Sequence, residues 1–298
     1  MRLFDSIDAV QHTLLTERYI ADRALATVIF LAMRLGKPLF LEGEAGVGKT
    51  EVAKVLSRAL STQLIRLQCY EGLDVHSAVY DWAYARQILH LRVMEAGGAT
   101  HEAMEKDLYG PDFRLARPLL QAIRHDGDQP AVLLIDEIDR ADEEFESYLL
   151  EFLSEFQITI PEIGTLRAPR PPVVIVTSNR TREVHDAIKR RCLYHWIDYP
   201  TFEAEYQIVM MKAPGVAQRL AYQLTSVTQQ LRQVGLFKSP GVAETLDWAA
   251  ALVAMSRSEL DEATVNDTLG VLLKYQDDVQ RVRGETVRAL VNQAHGRR

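Results

Sequence analysis

Apolar positions along the first two-thirds of the chain alternate between two rhythms. Leu25, Val28, Ile29, Ala32 and Leu35 stand at helical spacing and predict a helix over residues 21–35. "KPLFLEG" then reads as a short buried strand, and "GEAGVGKT" as a glycine-rich turn. "TEVAKVLSRAL" reads as an amphipathic helix with Val52, Val55, Leu56 and Ala59 on one stripe. "QLIRLQC", "AVLLID", "PPVVIVTSN" and "LYHWIDY" supply a second, third, fourth and fifth strand, with "EEFESYLLEFLSEF" a helix between the third and fourth. Residues 70–128 are less regular and predict helical stretches around 80–96 and 100–108. "ITIPEIGTLRA" reads as a hairpin with Pro161 and Gly164 at its tip. After Pro200 the strand rhythm stops, and residues 201–298 read as helices with loops near "KAPG" and "FKSPG".

This order of elements predicts an α/β fold. A mostly parallel sheet wrapped by helices occupies residues 1–200, with an insert at about 70–128 and the hairpin at about 157–168. An all-helical domain, residues 201–298, follows.

Composition narrows the partners. The 298 residues are 47% hydrophobic and 25% charged, ordinary for a globular chain with room for two domains. A net charge of -7 repels polyphosphate at long range and argues against nucleic acid. Two cysteines, Cys69 and Cys192, fit a reducing compartment without a disulfide framework. "MRLFDSIDAV" carries acids and no apolar signal core, so a cytoplasmic location is expected, with peripheral membrane association left open. The longest apolar run, "ALATVIFLAM", is too short to span a bilayer and reads as a core helix.

The polar ends of the strands carry the candidate chemistry. Gly43, Glu44, Ala45, Gly46, Val47, Gly48, Lys49 and Thr50 fit G-x-x-x-x-G-K-[ST] between a strand and a helix. Glycines there let backbone N–H groups turn toward phosphates, and the helix aims its positive dipole end at the same place. Lys49 reaches the β- and γ-phosphates and Thr50 supplies a hydroxyl for magnesium, with Glu51 next in the helix. The third strand ends in Asp136 and Glu137. On its own, such a pair reads as an acidic turn. Beside a phosphate loop, Asp136 becomes a magnesium ligand and Glu137 the base for a water attacking the γ-phosphate. A carboxylate beside a magnesium ligand suits water as nucleophile, so hydrolysis is favoured over transfer to a metabolite. Asn179, at the end of the fourth strand, reads either as a turn residue or as a group that helps place that water. Arg190 and Arg191 end a helix, where basic residues are ordinary, or project into a neighbouring subunit's nucleotide. Cys192 and His195 have ligand-like spacing, but no second pair joins them.

The ordered set "GEAGVGKT", "LLIDEID", "IVTSN" and "IKRR" resembles the AAA+ ATPases, and within them the MoxR family. "LIRLQCYEGLD", "ITIPEIGT" and "SNRTREVHDAIKRRCLYHW" resemble its CoxD-like branch more closely. The resemblance implies strand order 5-1-4-3-2, a hexameric ring, ATP and Mg2+ as cofactors, and a partner with a von Willebrand factor A domain. It also implies a client metalloenzyme, a molybdenum hydroxylase of the carbon monoxide dehydrogenase type. Lys49 and Thr50 match Walker A, Asp136 and Glu137 match Walker B, Asn179 matches sensor 1, and Arg190 or Arg191 stands where the arginine finger is expected. Ile20 matches the position that touches adenine. Gly241 stands where a sensor 2 arginine commonly sits, with Lys238 as a candidate substitute. Tyr80, Trp82 and the hairpin are expected either to grip a client or to pack against the sheet. The expected activity is ATP hydrolysis that remodels a client protein. A nucleotide-controlled assembly scaffold, a motor on nucleic acid and a small-molecule kinase are the rival readings.

Overall fold

Strands whose every side chain is buried need cover on both faces, and the computed structural model provides it. It describes residues 4–97, 113–160 and 164–296. In chain order the elements are α1 (Ile7–Thr16), α2 (Arg23–Leu35), β1 (Leu39–Gly43), α3 (Lys49–Ala59), β2 (Leu64–Gln68), α4 (Val75–Ala78), β3 (Tyr80–Trp82), α5 (Tyr84–Ala96), β4 (Arg114–Ala116) and α6 (Pro118–Arg124). Next come β5 (Val132–Asp136), a 3-10 turn (Ile138–Arg140), α7 (Glu143–Glu155), β6 (Gln157–Ile160), β7 (Gly164–Arg167), β8 (Val173–Ser178), α8 (Asp186–Arg191) and β9 (Leu193–Ile197). The remainder is helical: α9 (Phe202–Lys212), α10 (Gln218–Leu231), α11 (Val242–Ala254), α12 (Glu262–Leu272), α13 (Gln276–Val282) and α14 (Glu285–Gly296).

The main sheet is five-stranded and parallel, in the order β2-β5-β8-β1-β9. Read from its other edge, that is 5-1-4-3-2 for the five expected strands. β1 and β5 are buried at all positions, as a doubly covered parallel sheet requires. β2 pairs with β5 from Leu64 opposite Val132 to Gln68 opposite Asp136, and β5 pairs with β8 from Val132 opposite Val173 to Ile135 opposite Val176. The polar ends of these three strands therefore lie side by side.

The insert departs from its expected form. Residues 80–82 are not helical: β3 pairs antiparallel with β4, Tyr80 opposite Ala116. The helix starts only at Tyr84. The helical stretch expected at 100–108 lies outside the described residues. So does Pro161 at the hairpin tip, whereas Gly164 opens β7 at a φ of 90°. One helix, α1, lies ahead of the expected first helix. Ser6 caps it, accepting a 3.1 Å hydrogen bond from the Ala9 N–H, and it buries Val10 and Leu14.

The chain divides into two compact units, neither continuous in sequence. Among the described residues one comprises 31–41, 56–97, 113–160 and 164–194; the other comprises 4–30, 42–55 and 195–296. The first has its core on β2, β5 and β8, with Leu133, Ile135, Phe145, Phe152 and Val176 buried. Tyr80 belongs to that core at 4% exposure, and the half-buried Trp82 packs against it. The second unit has a helical core around Trp248, Leu224, Leu252 and Leu269. Among the described residues no helix is long and apolar enough to cross a membrane.

Candidate nucleotide site

In the first unit, β5 delivers Asp136 to its C-terminal end with the side chain 2% exposed. A carboxylate that dry needs partners on both oxygens. Thr177, on β8, donates its hydroxyl to Oδ1 at 2.6 Å, and Arg66, on β2, donates Nε and Nη2 to Oδ2 at 3.0 and 2.6 Å. Glu137 follows with φ 55°, a left-handed conformation unusual outside glycine, which turns the chain out of the strand. Its N–H donates to the Thr177 hydroxyl at 2.9 Å, so one threonine orders both acids. The Glu137 carboxylate accepts from Asn179 Nδ2 on Oε1 at 3.2 Å, and from Gln68 Nε2 on Oε2 at 3.1 Å. Arg140 Nε stands 3.0 Å from the same Oε2. The structure thus brings Asp136, Glu137 and Asn179 into one cluster.

A third acid fixes the geometry of Asn179. Asp139 accepts from the N–H groups of Asn179 (3.1 Å) and Thr181 (2.9 Å) and from the Thr181 hydroxyl (2.6 Å). Burial alone pushes the Asp139 carboxyl up, but the Thr181 side chain and these backbone donors outweigh it and hold the carboxyl below its usual range.

The two arginines of α8 differ. Arg191 donates Nε to Ser154 Oγ at 2.6 Å and Nη1 to the Ala187 carbonyl at 2.8 Å. Arg190 is exposed and has no hydrogen-bond or ionic partner among the described residues.

In the second unit, Glu42 and Gly43 at the end of β1 lead into the glycine loop. Gly43 lies so close to the end of β9 that a Cβ there would stand 2.3 Å from the Ile197 carbonyl oxygen. Gly46 and Gly48 have φ of 78° and 99°, values that side chains disfavour. Glu44 is exposed, Ala45 and Thr50 are half-buried and Val47 is buried. Lys49 is buried and curls over its own loop, donating Nζ to the carbonyls of Gly43 (2.7 Å) and Glu44 (2.6 Å). Glu51 faces Lys54 and Lys212 at 3.7 and 3.6 Å. Ile20 is half-buried. Its neighbour Tyr19 lies nearer the loop, with a ring carbon 3.7 Å from where a Gly48 Cβ would be. Burial first, then Glu51 and Asp22, push the Tyr19 hydroxyl far above its usual pKa, so it stays protonated. The N-terminus of α11 also meets the loop: Ala243 N–H donates to the Gly46 carbonyl at 3.2 Å.

Residues 38–192 match the AAA domain of the dynein-related subfamily. The chain belongs to the AAA family. Solved structures of Thermotoga maritima RuvB have a similar fold. A proline-to-glycine variant has a TM-score of 0.50 at 17% identity, covering 92% of this chain and 74% of its own. An alanine-to-serine variant gives 0.49 at 17% identity over 91% and 74%. A structure described as the Holliday junction branch migration motor gives 0.45 at 16% identity over 84% and 67%. Only the first of these bears on the fold, and at 17% identity it shows fold alone. No curated protein matches the chain.

For an AAA chain the donor set suits magnesium. Asp136 offers hard oxygen, and no group of three His, Cys, Asp or Glu able to cage a metal occurs among the described residues. Magnesium keeps its waters and rests largely on nucleotide phosphates, so it needs no such cage. Among the described residues no third ligand joins Cys192 and His195, and burial pushes the Cys192 thiol up to about 12. Reading the sequence of this AAA chain missed Arg66, Gln68, Thr177, Arg140 and Asp139. Gln68 and Arg66 alternate on one face of β2, which was the available signal. Their partners became known only with the strand order.

Proposed function

We propose that this AAA chain hydrolyses ATP in a ring of identical subunits and uses the cycle to remodel a client protein. The observation that carries the reading is the Glu137 carboxylate, held by Asn179, Gln68 and Arg140 directly after the dry Asp136. A carboxylate aimed by several donors on rigid strand ends is what a general base for water needs. The glycine loop of residues 43–50 cradles the phosphates, Lys49 leaves its two carbonyls to meet them, and Tyr19 and Ile20 flank the nucleotide. Thr50 and Asp136 hold Mg2+, which neutralises phosphate charge when bound. Glu137 then takes the proton of the attacking water, and Asn179 places that water. Arg190, without a partner among the described residues, reaches a neighbouring subunit's ATP. Residues 1–200 form the nucleotide-handling domain and 201–298 its helical lid.

The client reading rests on the resemblance to the MoxR family and its CoxD-like branch. It names a cytoplasmic hexamer, a partner with a von Willebrand factor A domain, and a molybdenum hydroxylase of the carbon monoxide dehydrogenase type whose metal cluster is completed with the ring's help. The net charge of -7 supports a protein client over nucleic acid. Glu137→Gln tests both levels. It should keep ATP binding, lose about 10²-fold or more in turnover, and retain a protein client on ATP-loaded rings in a pull-down. Undiminished phosphate release removes Glu137 from the chemistry. Recovery of nucleic acid instead of protein replaces the chaperone by a motor.

A further inference from the structure

One residue bound to the acidic pair plays no part in the chemistry above. Arg66 lies two positions before the end of β2, where burial alternates: Ile65 and Leu67 face the core, while Arg66 and Gln68 share the other face. Arg66 is paired in the sheet with Leu134, so its side chain reaches along the strand to Asp136. There it places Nε and Nη2 on a single oxygen, Oδ2, at 3.0 and 2.6 Å. The other oxygen is already served by the Thr177 hydroxyl at 2.6 Å. The guanidinium side chain is 51% exposed, whereas the carboxylate it serves is 2% exposed. A long, half-solvated cation is thus docked on the outward oxygen of a dry anion, and it can swing back into water without disturbing the core.

We propose that Arg66 is a built-in counter-cation that holds Asp136 Oδ2 in the empty protein and has to leave that oxygen when a magnesium ion binds. This deepens the functional reading and rests on it, since it takes Asp136 as the metal ligand. Removing a cation docked on a buried carboxylate is costly, so Arg66 stabilises the empty protein. Once the ion compensates Asp136, that role disappears, and two cations on one oxygen repel. Arg66 therefore sets the apparent metal affinity by competition. Its departure is also felt further on, because Nη2 donates to Gln68 Oε1 at 2.5 Å and the Gln68 amide donates to Glu137. Metal arrival at one acid thereby frees the residue that restrains the other.

The test is magnesium titration by calorimetry into the full chain saturated with ADP, for wild type, Arg66→Gln, Arg66→Ala and Arg66→Lys. Loss of the competitor should tighten magnesium binding by roughly tenfold in the Gln and Ala variants, with Lys in between. The same two variants should melt earlier than wild type in chelator without nucleotide, and recover most of the difference with magnesium and ADP. Lysine keeps the charge and guards against a variant that fails to fold. Unchanged or weaker magnesium binding in the variants, with ADP still bound, overturns the proposal and leaves the functional reading intact. A wild-type chain that takes up no nucleotide overturns the functional reading itself, and this inference with it.

Discussion

Arg190 and Arg191 are the same residue type at adjacent positions, and their surroundings make them different tools. Arg191 is spent on Ser154 and on the Ala187 carbonyl of its own helix. Arg190 has nothing to hold within the described chain and stays in water. A charge that must act on another subunit's phosphate has to be free in its own, because breaking an internal contact would subtract from its effect. Arg190→Ala should therefore lower the ATPase rate of the assembled protein by about 10³-fold or more, the scale of an arginine supplied in trans. Its melting temperature should stay near wild type. Arg191→Ala should do the reverse, with a loss of up to about 1 kcal/mol in urea denaturation and most of the rate retained. Equal rate losses in both would show that the free guanidinium is not the acting one. The sequence offers no means of making this distinction, since Ser154 lies on a different helix and is brought near only by folding.

The turns after β5 and β8 are tied to each other, and Asp139 is the knot. It binds the Asn179 and Thr181 backbones and the Thr181 hydroxyl. Its carboxyl is held below the ordinary 3.8, so the folded chain favours the ionised form more than the unfolded chain does. The stability it contributes is fully present above about pH 4 and is lost as pH falls through the lowered folded value. Asp139→Asn should cost about 1–3 kcal/mol near pH 7 and flatten part of the acid limb in urea denaturation between pH 3 and 7. Asp74, Asp81 and Asp261 are also held low and contribute to that limb. Turnover should fall as well, because Asn179 loses its backbone anchor. A variant with the wild-type acid limb would show that Thr181 and Asn179 find other acceptors. The strands these turns join were readable in advance, because each is an apolar run ending in a polar tip. β3 was not readable. Three residues say little by themselves, and its partner β4 lies far along the chain, across a stretch whose rhythm gives no warning. α1 escaped notice for a related reason: it buries only Val10 and Leu14, too few positions to establish a period.

Taken whole, the chain returns to its beginning. The glycine loop belongs to the same compact unit as residues 195–298, although some 150 positions separate them. Strand periodicity could place the loop after β1 but not beneath a helix from the far end, and the sheet order came from family resemblance, not from spacing. The contact also accounts for the glycine at 241, where the family resemblance leads one to expect an arginine. A Cβ at Gly241 would stand 2.8 Å from the Ala45 carbonyl oxygen and 2.9 Å from the Gly46 Cα, so no side chain has room there. Lys238, the candidate substitute, has its N–H bound to Asp278 at 3.2 Å and its side chain exposed. What reaches the loop is backbone, the Ala243 N–H on the Gly46 carbonyl, with the Glu244 carboxylate turned back onto the Gly241 N–H at 3.0 Å. Gly241→Ala should therefore lift α11 off the loop, cost about 1–3 kcal/mol, and speed hydrogen exchange at the Ala243 amide. Gly270→Ala is the matched control. Gly270 lies inside α12 with open space around its missing Cβ, so alanine there should stabilise the chain by about 0.5–1 kcal/mol. If Gly241→Ala instead gains stability as Gly270→Ala does, with Ala243 exchange unchanged, the helix is not seated on the loop in solution. The missing arginine would then need another cause.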